Sequence, residues 1–484
     1  MNRTTRSRPG AGRLARLALA GPLAVAAVML ASAALAADDT QQPEPLQAGS
    51  PLDRINHIVV IYQENHSFDN YLGTFPGADG IATAGAAATQ TDKQGQAYAS
   101  LPVPLANAVN GVRMPHPNFP AGLPNGPFLL NDYVTPEDGT ANMVHAFYRQ
   151  QYQINGGRMD RFVAWTDAGG LVMGYWDLQG SPLYELGREF TVADRFFMGA
   201  FGGSFLNHQW LICACTPVFP NAPAEMVAAR LADDPEHLQD KQVSPDGYVI
   251  NHESAIPAYS VNGPVPANAR PELLIPSQTA PTIGDRLTEA GIDWAWYSGG
   301  WNDALAGNPD PRFQFHHQPF VYYDNYVAET PGRADHLKDE TEFFAALDGG
   351  RLPAVSFVKP MGLDNKHPSY ATVARGQQHL ARVVDAVRTS PVWADTLIVI
   401  TYDDNGGQWD HVAPPVIDRW GPGARVPTVL VSPVAKRGYV DHTTYDTTSI
   451  LRTIEARWHL APLGTRDAAA NDLRAALQDV PRTQ

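Results

Sequence analysis

One stretch of the sequence decides the fold class: residues 396–411, which read TLIVITYDDNGGQWDH. Its first part, Thr396–Tyr402, is almost continuously apolar and rich in β-branched side chains, which is typical of a strand buried on both faces of a parallel sheet. Asp403 and Asp404 follow directly where this strand ends. Ligands of open α/β sheets bind beyond the carboxyl ends of the strands, so both carboxylates are candidate site residues.

A second stretch near the start of the chain has the same design: residues 55–73, INHIVVIYQENHSFDNYLG. It predicts a buried strand over Ile55–Tyr62, with Glu64 and Asn65 just beyond its end. Carboxylate and amide oxygens are hard ligands that suit a divalent cation. Either cluster taken alone is equally typical of a helix cap or a turn. Two such clusters, each after a hydrophobic strand, favour a metal site.

The rest of the chain alternates predicted strands with predicted helices. Further strands are expected within 190–197 and at 293–297, 354–358 and 426–431; helices are expected within 141–165 and at 204–213, 282–290, 337–347, 376–389 and 447–458. This alternation predicts an α/β fold, a three-layer sandwich with a mainly parallel central sheet. We expect residues 52–484 to form one domain, with long loop excursions at about 76–140 and 217–280, where glycine and proline are frequent.

A third candidate element is the turn Gly202-Gly203-Ser204, which precedes the helix predicted over 204–213. A serine at the first position of a helix meets free N–H groups and the positive end of the helix dipole, which suits a phosphate. The alternative is an ordinary N-cap serine. A serine near a metal ion is the stronger nucleophile candidate, because coordination lowers the pKa of its hydroxyl.

Histidines form a second tier of candidates. Of the 15 in the chain, His145, His317, His367 and His411 lie in polar surroundings beside aromatic or proline residues. A single histidine is more often a satisfied polar group than a catalyst. If they act, we expect them to donate hydrogen bonds to a phosphate or to serve as a general acid.

Composition excludes several classes of function. The chain has 35 Lys and Arg against 50 Asp and Glu, a formal charge of −15, which disfavours general nucleic-acid binding. Its two cysteines, Cys213 and Cys215, provide neither a disulfide framework nor a four-cysteine zinc site. Because a bridge between residues two apart is geometrically awkward, we expect two small buried thiols.

The amino terminus is typical of a secretory signal peptide. Five arginines lie within residues 1–16, and an apolar run over 17–36 ends in Ala-Ala-Leu-Ala. We predict cleavage after Ala36, a flexible leader over 37–51, and a periplasmic or secreted protein without stable membrane insertion. The alternative is an uncleaved anchor, since about 20 apolar residues can span a bilayer.

Several motifs together carry a family resemblance: ENHSFDNYLG (64–73), NGGRMDRFV (155–163), VMGYWD (172–177), FTVADRFFMGAFGGSFLNH (190–208), YDDNGGQWDHVAPP (402–415) and GPGARVPTVLVSP (421–433). From about Ile55 onwards, the chain resembles the bacterial phosphoesterase family, which contains exported acid phosphatases and phospholipases C. The resemblance implies the alkaline-phosphatase-like fold and a small phosphate ester as substrate.

The resemblance also implies roles for individual residues. The metal ion would be held by Glu64, Asn65, Ser204, Asp403 and Asp404, and Ser204 would be the nucleophile. Asn65, His145, Arg158, His317 and His367 would contact the phosphate or the leaving group. Among the histidines, the general acid is not identified. The ion is a divalent cation, with Mg²⁺, Ca²⁺, Mn²⁺ and Zn²⁺ all open.

Small differences point to a branch of the family. Ser204 and Asp403-Asp404 resemble the acid phosphatases, whereas the phospholipases C mostly carry threonine and Asp-Glu at these places. We therefore expect an exported, metal-dependent acid phosphatase that forms a phosphoserine. A phospholipase C is the alternative, in which an aromatic cage could hold a choline group; the candidates are Trp165, Tyr175, Trp176 and Trp301. A non-catalytic periplasmic binding protein is the alternative from another class.

Overall fold

The computed structural model describes residues 50–228, 240–251 and 270–479. The predicted signal peptide, most of the predicted leader and part of the 217–280 excursion lie outside these residues. All described residues belong to one compact unit, Pro45–Gln484. Within the described ranges, no helix combines the length and the apolar composition that are needed to cross a bilayer.

Twelve strands and twelve α-helices are found among the described residues. The strands are β1 His57–Gln63, β2 Phe128–Leu129, β3 Gly174–Tyr175, β4 Thr191–Ala193, β5 Phe196–Phe197, β6 Trp294–Ser298, β7 Leu337–Asp339, β8 Val355–Lys359, β9 Thr396–Tyr402, β10 Val429–Val431, β11 Tyr439–Asp441 and β12 Tyr445–Asp446. The helices are α1 Phe68–Leu72, α2 Phe147–Ile154, α3 Phe162–Trp165, α4 Pro182–Glu189, α5 Ser204–Cys213, α6 Ile283–Glu289, α7 Trp301–Leu305, α8 Pro331–His336, α9 Glu340–Asp348, α10 Val373–Thr389, α11 Thr447–Trp458 and α12 Thr465–Ala469.

Eight of the strands form the central sheet, in the order β11-β4-β10-β9-β1-β8-β6-β7. Neighbouring strands are parallel except around β10, which runs antiparallel to both β9 and β4. Helices α4, α9 and α10 pack together, as do α5, α11 and α12. This arrangement confirms the predicted α/β fold with a mainly parallel sheet.

The register of β1 explains why the two polar clusters meet. Strand β1 lies between β9 and β8, and Val60 is paired with Val399 on one side and Phe357 on the other. These three side chains are fully buried. Because the three strands are parallel, their carboxyl ends reach the same edge of the sheet, and the residues that follow β1 and β9 become neighbours.

Three predicted elements differ from the structure in their bounds. The helix expected over 337–347 begins only at Glu340, because Asp339 caps it and the residues before it form the edge strand β7. The strand expected over 426–431 is limited to Val429–Val431; Pro427 has no N–H for a sheet hydrogen bond. The segment 141–165 is two short helices, separated at Asn155 by a left-handed turn.

The expectation of two free thiols is wrong, because Cys213 and Cys215 form a disulfide. Ala214, the residue between them, ends α5 in the left-handed conformation with φ of 49°. This conformation turns the chain back on itself and leaves the two Cα atoms 5.1 Å apart, a distance that a disulfide can span.

Candidate active site

The strand ends and the start of α5 bring five predicted residues together. Ser204 Oγ lies 3.1 Å from Asp404 Oδ2, 3.3 Å from Glu64 Oε2 and 3.4 Å from Asn65 Oδ1. Asp403 adjoins the same group through its Oδ1, which accepts a hydrogen bond of 3.1 Å from the backbone N–H of Asn65. All five residues are buried, although Ser204 also lines a cavity.

The turn before Ser204 depends on its two glycines. Gly202 has φ of +98°, a conformation that residues with a Cβ rarely adopt. Gly203 has an ordinary φ, but a Cβ there would lie only 3.0 Å from Cδ2 of His145. The two glycines therefore allow α5 to begin at Ser204 with the His145 ring packed against the turn.

Asn65 is oriented by His145. Its backbone has φ of 56°, in the left-handed region that asparagine tolerates better than most residues. His145 Nδ1 faces the backbone oxygen of Met143 at 2.6 Å and must donate to it, which leaves Nε2 to face Asn65. Nδ2 of Asn65 donates to this Nε2 at 3.1 Å. The amide oxygen of Asn65 is thereby directed to Ser204.

Glu64 has different partners on its two oxygens. Oε1 accepts a hydrogen bond from the Lys359 ammonium and lies 3.0 Å from Nε2 of His317, while Oε2 faces Ser204. Burial raises the pKa of Glu64, but Lys359 and His317 outweigh burial and hold that pKa well below its usual range. Lys359 was not among the predicted site residues.

The two aspartates after β9 are held by backbone N–H groups. Asp403 Oδ1 accepts from the N–H of Asp404 at 2.8 Å, and Asp404 Oδ1 accepts from the N–H of Gly406 at 2.6 Å. Burial, followed by the charges of Asp404 and Glu64, raises the pKa of Asp403 well above its usual range. Burial is also the largest cause that raises the pKa of Asp404.

These residues fit a divalent cation. On three of the side chains, one atom is bound outward and one oxygen faces Ser204: Glu64 Oε2, Asn65 Oδ1 and Asp404 Oδ2. Asp403 Oδ2 is buried without a hydrogen-bond partner. Three neighbouring buried carboxylates are costly unless a cation compensates them, and an all-oxygen donor set suits a hard ion.

A cavity of about 470 Å³ opens in front of Ser204. Among the residues that line it are His145, His316, His367 and Tyr370. His367 Nδ1 contacts the backbone oxygen of Pro368, and burial lowers the pKa of the His367 ring to about 4. The ring is therefore neutral except at acid pH.

His317 is not among the residues that line this cavity; it stacks on His208, with ring centroids 5.3 Å apart and planes within 6° of parallel. Together with Glu64, these two histidines place possible ligand atoms within 4.8 Å of one another. The Lys359 ammonium already bonds to Glu64 at this place, and its positive charge disfavours a second cation there.

The structure does not place Arg158 beside the cluster, and the role implied by the resemblance stays a prediction. Its side chain is 63% exposed, donates to Asn155 Oδ1 at 2.6 Å and lies 3.7 Å from Asp160. It is not among the residues that line the cavity. The left-handed turn that follows α2 directs this side chain toward its own loop and solvent.

His411 belongs to a separate buried ionic cluster. Its Nδ1 lies 2.6 Å from Asp69 Oδ2, and the guanidinium of Arg425 donates to both Asp69 and Asp410. Asp69, Asp410 and His411 lie close enough together to hold a metal ion. Here, however, Arg425 supplies the positive charge that compensates the two carboxylates. The cluster joins the segment after β1 to the segment after β9.

The aromatic residues considered as a choline cage do not line the cavity: Trp165, Tyr175, Trp176 and Trp301. Trp165 stacks on Tyr152 instead, and Trp301 donates from its indole nitrogen to the backbone oxygen of Leu337. In the described part of the chain, the aromatic residues at the cavity are Phe205 and Tyr370.

Comparisons with solved structures give low similarity. A protein in the alkaline phosphatase superfamily from Vibrio parahaemolyticus has a TM-score of 0.32 and 14% identity, with 62% of this chain and 65% of that chain covered. Phosphonate monoester hydrolase SpPMH from Silicibacter pomeroyi has a TM-score of 0.32 and 12% identity, with 64% and 73% covered. TM-scores this low carry no argument.

Sequence comparison is more informative. Phospholipase C A of Mycobacterium tuberculosis is 26% identical over 474 residues, which cover 88% of this chain and 77% of that protein. Non-hemolytic phospholipase C of Pseudomonas aeruginosa is 24% identical over 475 residues, with 88% and 57% covered. The model of the Phosphoesterase family matches residues 55–461. The chain therefore belongs to the Phosphoesterase family and is a phosphoester hydrolase.

Proposed function

We propose that the protein is an exported, metal-dependent acid phosphatase that hydrolyses small phosphomonoesters through a phosphoserine at Ser204. One observation carries this proposal: the Ser204 hydroxyl lies at the start of α5, within 3.4 Å of oxygens from Glu64, Asn65 and Asp404. A serine at a helix N-terminus, beside a cation site and facing a cavity, has the surroundings of a phosphoryl-transfer nucleophile.

The cation would be held by Glu64, Asn65, Asp403, Asp404 and Ser204. When bound, a divalent ion lowers the pKa of the serine hydroxyl and neutralises charge on the phosphate oxygens. The chemical types of these donors alone leave Mg²⁺, Ca²⁺, Mn²⁺ and Zn²⁺ open.

The residues of the chain account for the two chemical steps. Gly203, which precedes α5, has no side chain that could cap the helix. The free backbone N–H groups in the first turn of α5 are therefore available to bind the phosphate oxygens. Ser204 Oγ gives up its proton and attacks phosphorus, the bond to the leaving oxygen breaks on the opposite side, and the alcohol departs with one proton, so the first step releases and takes up one proton each. Water then attacks the phosphoserine in the second step, and Ser204 leaves as its hydroxyl. Two in-line displacements retain configuration at phosphorus.

The proposed acid pH optimum rests on the histidines of the cavity. Transfer of a proton from a histidine to the leaving oxygen requires the imidazolium form. His367 lines the cavity, and burial lowers its pKa to about 4, so this ring is charged only at acid pH. A phosphatase that uses it as the proton donor would work best below neutral pH.

A phospholipase C is the second candidate. The names of the Mycobacterium and Pseudomonas relatives favour it. The cavity favours the phosphatase, because half of the 18 residues that line its described walls carry histidine, amide or hydroxyl groups, and the four candidates for a choline cage are not among them.

Substrate comparison tests this proposal. The purified protein would be assayed on p-nitrophenyl phosphate and p-nitrophenyl phosphorylcholine from pH 4 to 9, with and without chelator, beside Ser204→Ala. We expect faster turnover of the monoester at acid pH, lost on chelation and in the variant. Faster turnover of the diester would assign a phospholipase C. A folded, cation-loaded protein inactive on both would support the non-catalytic binding protein.

Export is a separate part of the proposal, because residues 1–36 lie outside the described residues. Cell fractionation and amino-terminal sequencing of the mature protein test it. We expect the mature chain to begin at Ala37 in the periplasm or the medium, and an intact amino terminus in the membrane fraction would support the anchor instead.

A further inference from the structure

Lys359 is a buried cation that touches the proposed metal site without belonging to it. It ends β8, the strand next to β1, and its side chain is fully buried. Its ammonium donates to Glu64 Oε1 and lies 5.3 Å from the centre of the Tyr62 ring. A fully buried lysine is rare and needs a specific partner, and here that partner is Glu64.

The contacts of Glu64 are divided between its two oxygens. Lys359 and His317 both lie at Oε1, whereas Oε2 faces Ser204 at 3.3 Å. We propose that Lys359 is a positioning residue that occupies Glu64 Oε1 and so limits Glu64 to a single oxygen, Oε2, toward the cation. This inference rests on the proposed metal site.

The restriction has a consequence for the choice of metal. Mg²⁺ requires a near-octahedral set of six oxygens, whereas Ca²⁺ accepts six to eight and often takes both oxygens of a carboxylate. A glutamate with one free oxygen therefore favours the smaller ion. Without Lys359, only His317 remains beside Oε1, so Glu64 can turn this second oxygen toward the cation more easily, and the site should then accept Ca²⁺ more readily.

The ratio of two dissociation constants isolates this effect. Removing the positive charge of Lys359 changes the affinity of every divalent cation, but that electrostatic effect is nearly the same for Mg²⁺ and Ca²⁺ and cancels in the ratio. Losing the contact that orients Glu64 affects Ca²⁺ and Mg²⁺ differently, so this effect remains in the ratio. A change in this ratio would not arise from a purely structural role of Lys359.

The test is calorimetric titration of the chelator-treated full chain with Mg²⁺ and with Ca²⁺. Lys359→Met should shift the ratio of Kd values about 10-fold toward Ca²⁺, at the lower end of what loss of a contact to a metal ligand produces. Lys359→Arg, which keeps a donor at Oε1, should stay near the wild-type ratio. The matched control is Lys366→Met, because Lys366 is equally buried but donates to the hydroxyl of Tyr402 at 2.7 Å.

Each result is decisive. A folded Lys359→Met protein whose ratio stays within about threefold of wild type would overturn the inference, while leaving the proposed function intact. A wild-type protein that binds neither Mg²⁺ nor Ca²⁺ would overturn the inference, and one that also fails to bind Mn²⁺ and Zn²⁺ would overturn the proposed metal site as well. If Lys359→Met does not fold, Lys359→Gln removes the same charge and carries the same expectation.

Discussion

Ser204 Oγ and Asp404 Oδ2 lie 3.1 Å apart, although 200 residues separate them in the chain. Ser204 begins a helix, and Asp404 follows the central strand β9. Their contact therefore depends on α5 packing at the carboxyl edge of the sheet. It joins a nucleophile candidate to a metal-ligand candidate at the edge where ligands of parallel sheets bind.

His145 should be important through Asn65. Its Nε2 accepts from the Asn65 amide, so His145→Ala frees that amide to rotate away from Ser204. We expect kcat/KM for p-nitrophenyl phosphate to fall about 10- to 100-fold and cation affinity to weaken, as for other residues that orient a ligand. Steady-state kinetics and calorimetry measure the two effects.

The matched control for this change is His442→Ala, because the His442 side chain is 59% exposed and contacts Asp194 outside the site. That variant should stay close to wild type in both measurements. Equal losses in the two variants would contradict an orienting role for His145.

For Arg158, the structure and the family resemblance lead to different expectations. The side chain is 63% exposed and is bound to its own loop, so Arg158→Ala should leave kcat/KM within about twofold of wild type. Steady-state kinetics on a phosphomonoester checks this. A loss of 10-fold or more would mean that Arg158 reaches the substrate after all.

Arg425 should be essential for stability. Its guanidinium is fully buried and donates to Asp69 and Asp410, and Arg425→Met would leave both buried carboxylates without the guanidinium that compensates their charge. Removing one member of a buried ionic group costs about 3–5 kcal/mol in the free energy of unfolding. Urea unfolding followed by fluorescence measures the loss.

An exposed arginine provides the comparison. Arg437 is 47% exposed and pairs with Glu189, which is 43% exposed, so Arg437→Met should cost less than about 1 kcal/mol. If the two variants lost the same stability, the buried cluster would not have the role assigned to it.

The raised pKa of Glu455 makes the free energy of unfolding depend on pH. It is 1% exposed, and burial together with the neighbouring Asp467 raises its pKa to about 9. Between its unfolded pKa, near 4.5, and about 9, the folded state holds a proton that the unfolded state releases. This contribution to stability is complete below the unfolded pKa and is lost as the pH rises through that window.

Glu455→Gln removes the ionisable carboxyl, and with it the loss of stability that wild type suffers as the pH rises. The free energy of unfolding of the variant should exceed that of wild type by about 1–3 kcal/mol at pH 8, and the gain should shrink toward pH 4.5. Glu289→Gln, at a side chain that is 68% exposed, is the control and should show little change across the same range. A gain for Glu455→Gln that does not depend on pH would rule out this titration.

Much of the fold could be predicted because the decisive strands are continuous in the sequence. Thr396–Tyr402 is a strand with the predicted bounds, and α5 begins and ends where the Gly-Gly-Ser turn predicted. Both signals are local: an apolar β-branched run, and a turn that requires glycine. The polar residues after β1 and β9 could be predicted to meet because parallel strands end at one edge.

The features that were missed depend on contacts between distant parts of the chain. In the sequence, Lys359 is a charged residue after an apolar run and looks like the start of a solvated loop. Its burial follows from the position of β8 beside β1, which brings it to Glu64 across 295 residues. The Cys213–Cys215 bridge depends on the backbone conformation of Ala214, and alanine gives no local sign of a left-handed turn.

The central claim is that Ser204 carries the phosphoryl group between the two chemical steps. Rapid acid quenching during turnover of a phosphomonoester, followed by peptide mass spectrometry, tests it most directly. The account predicts a phosphate on the peptide that contains Ser204, absent from Ser204→Ala and from chelator-treated protein. A phosphate on another residue, or full turnover by the Ser204→Ala variant, would contradict it.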